Sequence, residues 1–233
     1  MTMMRVIEKQ EFSEFYDHDS GRLFSDIEFR RCKFESCAVS ITNDPAFRST
    51  IRNVKLINCE TRGCTLHTAI VEDVTVDGLK THGLRQTWGA VFKHVTLRGK
   101  IGRLMFSPAV SPGVATLREQ RAFDEANEQY YSTVDWALDI REAEVEELDI
   151  RRIPARLIRR DPESQVVITR EKAMQGKWRQ LDLSKTYWAT SIELFLEWGD
   201  LDWVLVAGKR DRDYRRLVDG LNALRDAGVA EPD

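Results

Sequence analysis

The sequence lacks several features that would assign a protein to a class directly. Its 233 residues include four cysteines and four histidines, and the formal net charge is −3. No apolar run has the length of a signal peptide or a membrane-spanning helix. We therefore expect a cytoplasmic protein that does not enter a membrane. The small net charge also argues against binding nucleic acid by bulk electrostatic attraction.

The cysteines form no recognisable metal or disulfide pattern. Cys32, Cys37, Cys59 and Cys64 follow one another at unequal spacings, which match neither a CxxC metal motif nor a secreted disulfide framework. All four instead occupy the first position of a five-residue block. We expect small apolar side chains that fill an interior, with a metal site or a redox pair as the alternatives.

A repeat of five residues is the main positive feature. Eight consecutive blocks run from Val54 to Lys93, and their first and third residues are mostly apolar or small. Five helical residues turn through about 500°, so the apolar series would move around a helix. Because five is odd, the first residues of successive blocks would point to opposite faces of a straight strand. The period therefore indicates a chain that bends at every block.

The same register recurs outside this stretch, in residues 27–41 and 138–157. A longer apolar pattern begins at Phe29, Ile51, Val71 and Phe92, and each interval is close to four blocks of five. Four short sides would make one turn, and successive turns would stack about 4.8 Å apart. First and third block residues, including Gln86, should then point inward. His67 and His82 should face solvent, too far apart in the coil for a metal pair.

Four blocks carry a family resemblance. They begin at Cys32 (CKFES), Leu138 (LDIRE), Ala143 (AEVEE) and Leu148 (LDIRR). They resemble the pentapeptide-repeat family, whose consensus is A(D/N)LXX, and the resemblance covers roughly residues 24–106 and 136–160. It implies a right-handed, four-sided parallel β-helix. In many blocks Val or Leu replaces the Ala that the consensus has at the first position, and the register slips over residues 42–53. We therefore expect an irregular coil.

These patterns predict a mainly β fold: a right-handed parallel β-helix with an inserted helix and an α-rich C-terminal appendage. We expect residues 1–23 to form an N-terminal cap and residues 24–169 the solenoid, interrupted by a helical insertion at about 107–133. Residues 170–233 should be mainly helical. They either cap the solenoid or form a homodimer through their helices, as in some pentapeptide-repeat proteins.

The insertion is the candidate binding site. Its helix should begin near Pro112, with a loose apolar face that includes Leu117 and Phe123. Insertions on one face of a repeat protein often bind partners, although this helix could instead only pack along the wall. The predicted partner-binding residues are Arg118, Arg121, Asp124, Glu125, Tyr130 and Tyr131.

Catalysis is not expected, and neither is a metal ion or a cofactor. The sequence contains no GxSxG elbow, Walker-type glycine loop or HExxH motif. Seven carboxylates between Asp135 and Asp149 form an acidic cluster, and a carbohydrate-active β-helix enzyme remains an alternative. These acids alternate along the chain as a solvated face would.

The favoured function is therefore non-enzymatic recognition of a protein partner, for example by an immunity or antitoxin protein that occludes a toxin. The resemblance also implies an alternative, because some pentapeptide-repeat proteins mimic duplex DNA and protect type II topoisomerases. That role needs a long acidic surface, whereas residues 51–106 contain nine Lys or Arg against four acids. Aromatic residues do not interleave with these cations, so we do not expect a nucleic-acid partner either.

Overall fold

The computed structural model describes residues 4–110 and 115–231. The fold is mainly β, as predicted: a 15-stranded parallel sheet is curled into a half-barrel, and two further strands pair in an antiparallel sheet. The parallel strands are β1 (Arg5–Glu8), β2 (Glu11–Ser13), β3 (Tyr16–His18), β4 (Leu23–Arg30), β5 (Lys33–Glu35), β6 (Ala38–Ile41), β7 (Thr50–Arg62), β8 (Thr65–His67), β9 (Ile70–Thr81), β10 (Arg85–Trp88), β11 (Val91–Lys93), β12 (Val95–Ser107), β13 (Leu138–Asp139), β14 (Ala143–Ile150) and β15 (Ile158–Arg159). The antiparallel pair is β16 (Gln165–Thr169) and β17 (Asp202–Val206), and the helices are α1 (Leu117–Tyr131), α2 (Arg170–Met174), α3 (Trp188–Trp198) and α4 (Tyr214–Asp226).

The parallel strands follow one another in layers, which we call rungs. Rungs 1 to 6 are residues 5–18, 23–41, 50–67, 70–88, 91–107 and 138–150, and the short strand β15 pairs with β13 beyond rung 6. Val54 pairs with Val74 and Thr75 pairs with Thr96, so the offset from rung 3 to rung 4, and from rung 4 to rung 5, is close to four blocks of five. This is the offset that the repeat predicts. The predicted slip at 42–53 contains a short 3-10 helix, Pro45–Phe47, and lengthens the offset between rungs 2 and 3.

The chain bends where a backbone residue adopts a positive φ. In rungs 3 and 4 each of these residues directly precedes the first residue of a block: Asn53, Asn58, Gly63, Asp73, Gly78 and Gly83. Asn, Asp and Gly adopt this left-handed conformation most readily. At Gly78 a side chain would also clash, because an added Cβ would lie 2.6 Å from Asn58 Oδ1. The five-residue period is therefore a period of bends.

Most first-position residues are buried, including Val54, Cys59, Ala69 and Val74. The prediction that Gln86 points inward is wrong. Arg85 pairs with Leu104 and Thr87 with Phe106, both in the apolar core, while the Gln86 amide contacts Met105 Sδ at 3.1 Å. Parallel partners share a face, so the inward positions shift by one residue on this side of rung 4.

Residues 5–18, which we expected within an N-terminal cap, form rung 1. Strands β1, β2 and β3 pair in parallel with β4, β5 and β6. The sequence concealed this rung because Arg5 and Gln10 occupy first positions, where Ile27 and Cys32 stand in rung 2. Both are exposed at the open end of the stack, where a polar side chain costs little.

The segment from β16 to the C-terminal helix α4, which we call the C-terminal unit, covers the end of the stack at rung 6. Of the two alternatives for this segment, capping and dimerisation, this is the capping arrangement. The unit begins at β16, a few residues before the predicted boundary at 170. Val167, Val204 and Val206 pack into the core of the parallel sheet, whereas the alternate residues Val166 and Leu205 pack with the helices. The antiparallel pair thus separates two apolar cores. Across the described ranges, no helix has the length and apolar character to cross a membrane.

Candidate functional site

Helix α1 leaves the stack between rungs 5 and 6. Thr116 caps it: its hydroxyl accepts a hydrogen bond from Glu119 N at 3.3 Å, and its own N–H donates to Glu119 Oε2 at 2.6 Å. This reciprocal pair satisfies two free N–H groups at the helix start. The helix is therefore well defined from its first turn. Pro112, which we expected near this turn, lies outside the described residues.

The inner face of α1 is bound to the sheet. Phe123 and Tyr131 are buried, and the Tyr131 hydroxyl accepts a hydrogen bond from Phe92 N at 3.3 Å. The Tyr130 hydroxyl donates to Glu72 Oε1 at 3.2 Å. Burial raises the pKa of both tyrosines, so both hydroxyls remain protonated near neutral pH. The two predicted binding tyrosines therefore face the wall of the sheet and fix the helix to it.

Arg48 lies beneath α1 and is 7% exposed. Its guanidinium donates to Asn127 Oδ1 and to the Gly89 carbonyl oxygen, and it lies 4.7 Å from the centroid of the Phe123 ring. Burial lowers its pKa to about 10, so the side chain stays charged near neutral pH. A buried cation bound to helix and sheet fixes the position of α1.

A second polar contact joins α1 to the C-terminal unit. Arg152 Nη1 lies 3.2 Å from Asp124 Oδ2, and Arg152 Nε lies 3.0 Å from Asp200 Oδ1. Asp124 also accepts a hydrogen bond from the Gln120 amide at 2.8 Å. The predicted binding residue Asp124 thus has partners within the protein. Through Arg152 it links the helix to the end of rung 6 and to the C-terminal unit.

The remaining predicted residues form the outer face of α1. Arg118, Arg121 and Glu125 are exposed, and Leu117 next to them is 82% exposed. With Ala122 they line a shallow depression of about 540 Å³. We call Leu117, Arg118, Arg121, Ala122 and Glu125 the outer face. The structure thus places three of the six predicted residues together on a rigidly attached surface.

Charged side chains on the walls pair across neighbouring rungs. Five of the nine cations counted in residues 51–106 have a carboxylate partner on another rung: Arg52–Glu72 at 2.7 Å, Arg62–Glu35 at 4.0 Å, Lys80–Glu60 at 3.4 Å, Arg98–Asp77 at 2.9 Å, and Arg103 with Glu147. Opposite charges one rung apart cancel beyond a short distance. This arrangement favours neither a long acidic surface nor a continuous basic strip.

The acidic cluster is divided in the same way. Asp139 accepts two hydrogen bonds from the Arg141 guanidinium, at 2.9 and 2.5 Å. Burial would raise the pKa of Asp139, but these bonds and the Arg141 charge outweigh it and lower the pKa. Asp149 pairs with Arg151 at 2.7 Å. Such pairing favours structural carboxylates over a converging acid and base.

The histidines also bind neighbouring side chains. His94 Nδ1 lies 3.0 Å from Asp73 and its Nε2 lies 2.7 Å from Asp135, while Trp136 packs against the imidazole. His82 pairs with Glu60 on the rung below. His67 is partly buried, rather than facing solvent as predicted, and burial lowers its pKa. Within residues 4–110 and 115–231, no group of three or more His, Cys, Asp or Glu could hold a metal ion.

The cysteines lie inside the sheet with free thiols. Cys32, Cys37 and Cys59 are buried and Cys64 is partly buried. Cys32 Sγ donates to the Ile7 carbonyl oxygen at 3.4 Å, and Cys59 Sγ to that of Phe29 at 3.5 Å. Burial raises the pKa of Cys59 and Cys64, which keeps them as unreactive thiols near neutral pH. These contacts agree with small interior side chains.

Comparisons with protein-family models, with curated proteins and with solved structures find no match to this chain.

Proposed function

We propose that the parallel sheet is a right-handed, four-sided β-solenoid of the pentapeptide-repeat type. Two observations support this: the offset between rungs is close to four blocks of five, and left-handed bends stand at the ends of these blocks. Stacked rungs of this kind make a stiff rod, because each rung hydrogen-bonds to its neighbours along its length. A stiff rod suits a protein that presents a preformed surface.

The function that the geometry supports best is non-enzymatic binding of a protein partner through the outer face of α1. The observation that carries this proposal is the contrast between the two sides of one helix. Phe123 and Tyr131 hold the inner side immobile, while Leu117, Arg118 and Arg121 are exposed. Fixing the helix backbone before binding lowers the entropy lost on association.

The charge of the outer face defines what it would bind. Arg118 and Arg121 lie in the first half of α1, and neither has an ion pair among the described residues. Guanidinium groups bind carboxylates in a two-point geometry and can stack on aromatic rings. The partner should therefore present acidic side chains around an apolar contact for Leu117. An immunity or antitoxin protein that occludes a toxin is the concrete version of this proposal.

The test is affinity capture from native cytoplasm with the full chain as bait. We expect a stoichiometric protein partner with the wild-type chain, and its loss with the double variant Arg118→Glu, Arg121→Glu. The matched control is Arg212→Glu, Arg215→Glu, which reverses two exposed cations on the C-terminal unit. A partner retained by the first variant, or lost equally with both, would refute this site. Absence of any stoichiometric protein would refute the function itself.

A further inference from the structure

The two ends of the parallel stack differ in how they are covered. The β16–β17 pair packs on rung 6, but strands β1, β2 and β3 of rung 1 pair on one side only in the part of the chain that is described. A strand edge of this kind offers unpaired N–H and C=O groups to another chain. The open end of rung 1 is therefore the site at which further strands could add.

Apolar side chains are exposed on this open end and next to it. Five of them are strongly exposed: Val6 (53%), Phe15 (40%), Tyr16 (55%), Leu23 (57%) and Phe47 (49%). Val6, Phe15 and Tyr16 belong to rung 1, and Leu23 begins rung 2 directly after it. Phe47 lies next to the link between these rungs, because its carbonyl oxygen accepts a hydrogen bond from Gly21 N at 3.2 Å. We call these five side chains the end patch. Patches of this kind commonly mark interaction sites.

We propose that the end patch and the edge of rung 1 bind a second copy of this chain in a symmetric dimer. A copy of rung 1 supplies a matching strand edge, and a two-fold axis brings the same patch of both copies together. Stacking of one copy's rung 1 on the other end of the next copy is blocked, since the C-terminal unit already covers rung 6. The association therefore closes at two copies.

The size of the surface sets the strength of this dimer. At about 200 Å² for a whole aromatic side chain, and somewhat less for Val and Leu, the exposed fractions amount to roughly 450 Å² of apolar surface per copy. A stable complex buries about 800 Å² per partner. The strand edge and the polar residues Arg5 and Gln10 supply the rest. Because the apolar part of the surface is smaller than this, the dimer should be reversible and depend on concentration.

The C-terminal helices, our other candidate for dimerisation, present a less suitable surface. The apolar face of α4, which includes Leu217, Leu221 and Leu224, is fully used in the core of the C-terminal unit. The side that faces solvent carries Arg215, Asp219 and Asn222. An interface core is depleted in such charged residues. The end patch is thus the better dimer surface, and it lies at the opposite end of the molecule.

Sedimentation equilibrium of the full chain, from 1 to about 200 μM, tests the proposal. We expect a concentration-dependent dimer for the wild-type chain. The variant Val6→Lys, Tyr16→Lys should weaken it at least about tenfold, since it places cations on both edge strands. The matched control is Leu201→Lys, an equally drastic change at an 80% exposed leucine of the C-terminal unit, and it should leave the dimer intact. Circular dichroism would verify that all variants fold.

Hydrogen exchange would locate the contact independently. Amides within residues 5–18 should gain protection as the concentration rises, while those of α4 should not. A wild-type chain that stays monomeric at 200 μM would overturn the proposal, as would a dimer that the variant Val6→Lys, Tyr16→Lys leaves intact. The outer face of α1 is unchanged in all these variants, so partner capture by α1 and dimerisation can fail separately.

Discussion

Replacing Val74 by aspartate tests whether the first block position faces the interior. Val74 is 5% exposed and pairs with Val54 on the rung below. On the rung above, Val95 occupies the corresponding position, since the next residues, Thr75 and Thr96, pair with each other. A carboxyl at this position would be surrounded by aliphatic side chains. The neighbouring Thr75 is partly exposed on the outer wall and pairs with Lys55. Thr75→Asp is therefore the matched control, one residue away and on the opposite face.

The expected cost follows from the ionisation of the new carboxyl. An aspartate in water has a pKa near 3.9, and each pH unit is worth about 1.4 kcal/mol, so keeping the buried group neutral at pH 7 costs about 4 kcal/mol. Loss of the valine methyl groups adds about 1.5 kcal/mol. The sum, between about 5 and 6 kcal/mol, is comparable with the whole stability of many domains. Thr75→Asp should change the stability by less than about 1 kcal/mol.

The pH dependence makes this test specific. A carboxyl whose folded pKa is raised destabilises the protein at neutral pH, and its penalty shrinks as the pH falls toward the unfolded pKa. Urea unfolding should therefore show Val74→Asp recovering most of this ionisation penalty between pH 7 and pH 4, relative to the wild-type chain. Equal midpoints for the two variants would refute the inward assignment. A deficit of Val74→Asp that is identical at both pH values would refute the burial of its charge.

Two further substitutions test the contacts at the helix and the cap. Tyr131→Phe removes the hydroxyl that accepts from Phe92 N, so the free energy of unfolding should fall by about 1–2 kcal/mol in denaturant titrations; no loss would contradict the role of this bond in holding α1. Asp202 is a carboxyl whose pKa is raised by burial and which accepts from Ala155 N at 3.0 Å. Because its charged form is disfavoured in the fold, Asp202→Asn should raise the stability at pH 7 and lose this advantage as the pH falls. A gain that is unchanged in acid would show that its charge is not the cause.

The sequence contained more of the bend pattern than the first and third positions revealed. Five of the eight consecutive blocks end in a residue type that tolerates a positive φ and adopts one here, namely Asn58, Gly63, Asp73, Gly78 and Gly83. Reading the fifth position would have located these five bends directly. It would not have located rung 1, where Lys9 and Glu14 adopt the same conformation without any compositional signal. There the pairing with rung 2 determines the backbone, and pairing is not visible in a single chain segment.

The candidate site shows a similar limit. Once Phe123 is known to face the wall, helical spacing places Asn127 and Tyr130, four and seven positions later, on the same side. Arg118, Arg121 and Glu125 fall on the opposite side. The sequence alone did not single out Phe123, because Leu117 and Ala122 are apolar as well. In the structure both of these residues are exposed. What distinguishes Phe123 is Arg48, a cation from a much earlier part of the chain that lies against its ring. The orientation of α1, and hence which charges a partner could reach, is therefore determined by a contact between distant segments that no local pattern records.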